Sequence, residues 1–302
     1  MAAADGLKQD VVLGRGASSR VVRRGAFAFK CFKKSATVEL ARELRILRAS
    51  LECADLVLPL RRAGRRALIF PLQLCGDLGS FLKERGPLRP QHALQAFRDA
   101  SRALRYLHSQ HIIHRDVKPE NLYWDATRCS VRLGDFSLSR ILRPDDDVDT
   151  DGENTLKRVM DVDDMDVDLE GYASLEESSD DSLSNDDDDD DATMTSYTIT
   201  RWYRAPEVLR REPYWLPVDF WALGCSMLEA ISGEPFLAGQ STHHQRAIVD
   251  DLELDGVQQR VDTFTASLRR RLKTREAQEA MRTFCRAATS ALDFSPPART
   301  IF

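Results

Sequence analysis

Cysteine is scarce and never paired: Cys31, Cys53, Cys75, Cys129, Cys225 and Cys285 stand apart along 302 residues. No spacing among the six matches a disulfide framework or a zinc-ligand set, so they read as reduced thiols. Long apolar runs are missing too. Met1 to Asp10 carries no apolar signal core and no later stretch would span a bilayer, which predicts an intracellular soluble protein of the cytoplasm or nucleus, without a membrane partner. Basic residues are nearly absent from one segment. Between Pro144 and Asp191 lie 2 of the 43 lysines and arginines but 22 of the 48 acidic residues, a net of −20 against +15 for the remainder. Such asymmetry marks an interaction tail or a disordered loop. The segment ends in an unbroken run from Asp186 to Asp191 and cannot bury enough apolar surface to offset the entropy of ordering, so disorder is expected over 144–191. Elsewhere, hydrophobic residues at 42% of the chain are enough for a sizeable core, and 34.2 kDa leaves room for one two-lobed domain and little else.

The densest polar constellation is His114-Arg115-Asp116-Val117-Lys118-Pro119-Glu120-Asn121. A carboxylate, a cation two residues on and an amide five residues on suit moving a phosphoryl group from a magnesium nucleotide onto a hydroxyl. The run resembles the catalytic loop of protein kinases. That resemblance implies that Asp116 accepts the substrate hydroxyl's proton and Asn121 holds magnesium. Lys118 would stabilise the charge growing on the transferred group.

Upstream, Val11-Val12-Leu13-Gly14-Arg15-Gly16-Ala17-Ser18-Ser19-Arg20-Val21 resembles the kinase glycine-rich loop, with Ser19 where a third glycine is usual. Leu13, Gly14, Gly16 and Val21 are its expected nucleotide contacts, since glycine lets backbone N–H groups approach phosphates. Val21 to Lys30 reads as strand, tight turn and strand. It ends on Phe27-Ala28-Phe29-Lys30, similar to the family's V-A-I-K, so Ala28 and Lys30 join the nucleotide site. Leu40, Leu44 and Leu47 recur at helical spacing, and Glu43 is the expected partner of Lys30, with Glu39 the second candidate. Ala67 to Leu78 resembles the fifth strand and the hinge. There the resemblance implies Phe70 as gatekeeper, Pro71 and Gln73 as backbone contacts to adenine, and Asp77 near the ribose. Tyr123 stands where leucine is usual beneath the base.

Gly134-Asp135-Phe136-Ser137 resembles the family's D-F-G with its glycine replaced. Asp135 is then the second magnesium ligand, Phe136 packs toward Leu47 and His114, and Ser137 biases the loop toward one state. Roughly 70 residues separate Asp135 from Ala205-Pro206-Glu207, so most of that interval is an insertion. Thr195 to Glu207 is very similar to the activation lip of mitogen-activated protein kinases and their CMGC relatives. By that likeness Thr195 and Tyr197 form a T-x-Y pair, whose phosphates would draw Arg115 and neighbouring arginines. Lys118 with Thr200 resembles the serine/threonine arrangement. The likeness also implies proline after the phosphoacceptor.

Leu94, Phe97, Leu104 and Leu107 share one face of a helix that delivers the catalytic loop, and Leu122–Trp124 with Ser130–Leu133 reads as a hairpin. Asp219 is expected to brace the loop, and Arg299 to pair with Glu207. The fold expected is α+β and bilobal: an extension over 1–10, then a kinase domain over 11–302 with a β-rich N-lobe (11–72) and a mainly helical C-lobe (73–302). Its final helices are expected to be short. The implied activity is serine/threonine phosphoryl transfer using ATP and Mg2+, with protein substrates, an upstream activating kinase and no nucleic-acid partner. A binding scaffold, whose turnover Ser19, Tyr123 and Ser137 have eroded, is the second reading.

Overall fold

The computed structural model describes residues 11–16, 18–72, 76–142, 201–295 and 299. The extension 1–10, Gln73, the acidic segment 144–191, Thr195, Tyr197 and Thr200 lie outside the described residues.

β-Branched and aromatic side chains build five antiparallel strands: β1 (Val11–Arg15), β2 (Ser19–Arg24), β3 (Phe27–Phe32), β4 (Arg62–Gly64) and β5 (Ala67–Pro71). Their spatial order is β1-β2-β3-β5-β4. Gly25 makes the tight β2–β3 turn at φ +59°, a conformation that glycine reaches without a side-chain clash. Register then fixes which side chains share a face. Val21 pairs with Lys30, Lys30 with Leu68, and Ala28 with Phe70. Leu68 and Phe70 are buried, so Lys30 points into the lobe's covered side. Pro71 closes β5, where its missing N–H disrupts no further ladder bond.

Helix α1 (Thr37–Ala49) follows, burying Leu40, Leu44, Ile46 and Leu47 together with Glu43. The other part of the molecule is mainly helical. Helices α2 (Leu78–Arg85) and α3 (Pro90–Ser109) lead to the short strands β6 (Ile112–Ile113), β7 (Leu122–Asp125), β8 (Ser130–Leu133) and β9 (Arg140–Ile141). After them come α4 (Pro206–Arg210), α5 (Val218–Ser232), α6 (Thr242–Asp255), α7 (Val257–Arg271) and α8 (Arg275–Ala291). Pro90 opens α3 at a position where a missing N–H costs nothing, and Ala93, Leu94, Phe97, Ala100, Leu104 and Leu107 form its buried stripe. Helix α5 is apolar on nearly every side and is buried accordingly. A Cβ on its Gly224 would stand 3.1 Å from Ala291 and Leu292, so glycine there permits the close approach of the end of α8.

Two polar pairs, one buried and one part-buried, tie Tyr203 and Glu207 to this helical core. Arg299 donates to both carboxylate oxygens of Glu207 at 2.5 and 2.9 Å, and its guanidinium lies 5.2 Å from the Trp221 ring centroid. Tyr203 donates its hydroxyl to Glu229 of α5 at 2.7 Å. Burial pushes the Glu229 carboxyl up to about 7, and nearby Glu120 adds to that rise against the Tyr203 bond.

Removing one member of a buried ion pair leaves the other uncompensated, which typically costs about 3–5 kcal/mol. Arg299→Ala is therefore expected to lower the melting temperature clearly; an unchanged value would contradict the pair's role. Glu229 gives a pH signature. Its folded value of about 7 exceeds the ordinary 4.5, so the native chain keeps a proton that the unfolded chain releases. That stability is complete below pH 4.5 and is lost as pH rises toward 7, at up to about 1.4 kcal/mol per pH unit. Against Glu229→Gln, the wild type should lose relative stability across that window, whereas a pH-independent difference would refute the assignment.

Candidate active site

The loop between β6 and β7 turns through conformations that a chain does not adopt for itself. Arg115 has φ +67°, a left-handed value costing a non-glycine residue about 1–2 kcal/mol. Asp219, at the start of α5, offsets this. Its carboxylate accepts from the backbone N–H groups of His114 and Arg115, both at 2.8 Å, and lies 2.9 Å from His108 Nε2. Burial alone would raise the Asp219 carboxyl, but the bond to His108, the electrostatic attraction of the His108 and His114 rings and the His114 N–H outweigh it and hold the group below its usual range. His114 carries the order onward. Its Nδ1 accepts from the Asp116 N–H at 3.3 Å, its Nε2 reaches the Gly134 carbonyl at 3.1 Å, and its ring meets Phe136 edge-on at 5.2 Å.

Within this frame Asp116 is 7% exposed. Its Oδ2 takes an ion pair from Lys118 at 2.8 Å and a hydrogen bond from Asn121 Nδ2 at 2.9 Å. Oδ1 is buried and has no hydrogen-bond partner among the described residues. It is the acceptor left over. Asn121 Nδ2 also donates to the Asp116 carbonyl at 2.7 Å, so the amide nitrogen faces the loop.

Opposite lies a three-membered charge cluster. Lys30 Nζ stands 2.6 Å from Glu43 and 2.7 Å from Asp135. Glu43, not Glu39, makes the pair. Burial alone would lower the ammonium's pKa, but the two carboxylates outweigh it and keep Lys30 charged above its ordinary value. Asp135 feels burial too, yet Lys30 holds it well below the carboxylate range. One ammonium thus bridges the sheet, α1 and the segment after β8. Asp135 has φ +60°, while Ser137 is not among the positive-φ residues, so its side chain carries no left-handed strain. The Ser137 backbone is held instead by Asp135 Oδ1 at 3.3 Å and by Arg42 at 3.3 Å.

At the β1–β2 end, Gly16 N–H donates to the Ser19 carbonyl at 2.7 Å. Neither Gly14 nor Gly16 has positive φ, and a Cβ on Gly14 would meet nothing within 4 Å. The fold itself does not require glycine at Gly14, leaving open space above the strand. Leu13 is 49% exposed, Val21 and Ala28 are part-buried, and Phe70 is buried. Asp77 caps α2, accepting from the Ser80 N–H at 2.7 Å and from its hydroxyl at 2.8 Å, so it has a structural duty that the sequence reading did not assign. Its backbone bridges Tyr123, which is part-buried beneath the cleft.

Sequence reasoning did not single out Arg42 and Arg140. Arg42 sits one residue before Glu43, and burial, then repulsion from Arg115 and from Arg140, lowers its pKa. Arg115 and Arg140 thus lie within electrostatic reach of Arg42, near the loop between β6 and β7. Arg115 also donates to the Leu138 carbonyl at 2.7 Å. A cavity of about 70 Å3, lined in part by Asp116, Val117, Tyr203, Ala205, Val208 and Tyr214, adjoins the aspartate.

A family model described as protein kinase domain matches residues 7–157 and 179–294. The chain is 27% identical over 218 residues to mitogen-activated protein kinase 2 of Oryza sativa subsp. japonica, covering 70% of this chain and 43% of that protein. It is 32% identical over 170 residues to mitogen-activated protein kinase 15 of Caenorhabditis elegans, covering 56% of this chain and 28% of that one. A mitogen-activated protein kinase of Fusarium vanettenii is 32% identical over 152 residues, or 50% of this chain and 31% of that protein. The chain spans less than half the length of these relatives.

Proposed function

Because the chain belongs to the protein kinase domain family, we propose that it transfers the γ-phosphoryl group of Mg-ATP to serine or threonine hydroxyls of protein substrates. The observation carrying this reading is that six polar groups form two triads, Lys30 with Glu43 and Asp135, and Asp116 with Lys118 and Asn121, through contacts of 2.6 to 2.9 Å, with the Gly134 N–H bonded to the Asn121 carbonyl at 3.0 Å between them. Asp116 Oδ1 takes the proton of the acceptor hydroxyl, while Lys118 balances charge on the transferred group. Lys30, steered by Glu43, contacts the nucleotide phosphates, and the space over Gly14 lets backbone approach them. Leu13, Val21, Ala28, Pro71 and Tyr123 line the base's side of the site, with Asp77 toward the ribose, and the resemblance assigns a further hinge contact to Gln73, which lies outside the described residues.

Among the described residues no cluster of three His, Cys, Asp or Glu could hold a metal unaided. A carboxylate and an amide oxygen, from Asp135 and Asn121, fit magnesium, which favours hard oxygen donors completed by water and phosphate. Bound there, the ion would supply positive charge against the phosphates, with Asp135 and Asn121 as its protein ligands.

The similarity to mitogen-activated protein kinases supports two finer readings. Phosphates on Thr195 and Tyr197, added by an upstream kinase, would meet Arg42, Arg115 and Arg140 and order the lip. The small cavity beside Asp116 suits a compact residue such as proline next to the acceptor. An intracellular location belongs to the same reading. No described helix is long and apolar enough to cross a membrane.

Asp116→Asn should lower magnesium-dependent phosphoryl transfer by roughly 100-fold or more, with nucleotide binding retained. Nucleotide binding without Asp116-dependent turnover would identify a scaffold instead. For the lip, replacing Thr195 with Ala and Tyr197 with Phe should reduce activity about tenfold or more, the scale of one charge-assisted hydrogen bond. Full activity in that double variant would count against the switch.

A further inference from the structure

Gly134 joins β8 to Asp135 and was not among the residues to which the sequence assigned a role. Its backbone is clamped from both sides. The N–H donates to the Asn121 carbonyl at 3.0 Å, and the carbonyl lies 3.1 Å from His114 Nε2. Its φ is not positive, so backbone conformation does not explain the glycine. Side-chain space does. A Cβ at this position would stand 2.7 Å from Tyr123 Cε2, 3.1 Å from Tyr123 Cδ2 and 3.2 Å from Leu58 Cβ. The first distance lies far inside the roughly 3.5–4.0 Å separation of carbon atoms in contact.

Tyr123 has little freedom to retreat. Its backbone sits in β7 opposite Arg132 and is bridged to Asp77, and the atoms that would be struck are rigid ring carbons. The ring lies among the charges of the cleft. Burial, followed by the negative charge of Asp135, raises the phenol's pKa above its ordinary value, and Lys30, Asp77 and Glu43 also act on it. A tyrosine where leucine is usual needs extra volume, and the missing side chain of Gly134 supplies it.

We propose that Gly134 and Tyr123 form a matched pair, in which Gly134 acts as a positioning residue that seats the Tyr123 ring and keeps it from rising into the nucleotide's base pocket. The proposal rests on the ATP-dependent reading above for its consequence in binding, but not for the pair itself. Any side chain at position 134 would push the ring, because the clamped backbone cannot move aside.

The test is a cycle of Gly134→Ala, Tyr123→Leu and the double variant, with Tyr123→Phe/Gly134→Ala as control. Mg-ADP binding is followed by calorimetry, KM for ATP and kcat by turnover, and melting temperature without nucleotide. Gly134→Ala should weaken Mg-ADP binding and raise KM by roughly five- to tenfold, the scale of an overpacked site, with kcat changing less. In the Tyr123→Leu background the same substitution should change binding by less than about twofold and lower the melting temperature clearly less than in the wild type, the remainder reflecting the 3.2 Å approach to Leu58 Cβ. Tyr123→Phe should not rescue, since the clash is with ring carbons rather than the hydroxyl. Equal penalties in both backgrounds, or rescue by Tyr123→Phe, would overturn the pair. A wild type that binds no Mg-ADP would sink the kinase reading, and the melting temperatures alone would then decide the pair.

Discussion

Asp219 is 1% exposed at the start of α5, and the curve of the catalytic loop depends on its carboxylate, which binds two backbone N–H groups and the ring of His108. A buried carboxylate without partners would be expelled or neutralised, so its donors and its charge sustain each other. From that anchor the order passes through His114 to Gly134 and Phe136, and through Arg115 to Leu138. The geometry of Asp116, Lys118 and Asn121 is therefore set largely by a helix that contributes none of the three.

The second constraint is electrostatic. Lys30 serves two carboxylates that would otherwise repel each other across the cleft, and it lies on the strand while Glu43 lies on α1. Displacement of α1 would leave Asp135 with the ammonium and Glu43 with none, so the helix position and the charge state of the site are linked. The family-atypical residues fit this frame without visible strain. Ser137 has no positive φ, Ser19 begins β2 opposite Phe32, and Tyr123 fits over Gly134.

What the sequence made legible was whatever is written contiguously. The catalytic loop, the Gly134–Ser137 segment and the run ending at Glu207 are local strings whose spacing carries their chemistry, and the helix spacing of Leu40, Leu44 and Leu47 placed α1. Pairings between distant residues needed the fold. Glu43 and Glu39 lie one turn apart, and only the packing of α1 decides which meets Lys30. Asp77 reads from the sequence as a ribose contact, and its capping of α2 becomes visible only with the Ser80 bonds. Arg42, Arg115 and Arg140 come from α1, the catalytic loop and β9, three segments with no common motif. Steric complementarity between Gly134 and Tyr123 leaves no signal in a single sequence: Tyr123 is atypical by resemblance, but only the fold shows that its ring occupies the space a side chain at Gly134 would fill.

The Asp219 brace also sets an order of events during biosynthesis. Its N–H partner at His114 lies 105 residues earlier in the chain, so the loop emerges from the ribosome well before the group that shapes it. At translation speeds of about 5–20 residues per second, that interval is on the order of 5–20 seconds. A nascent chain paused there would carry Asp116, Lys118 and Asn121 on a loop that still lacks the carboxylate binding its His114 and Arg115 N–H groups.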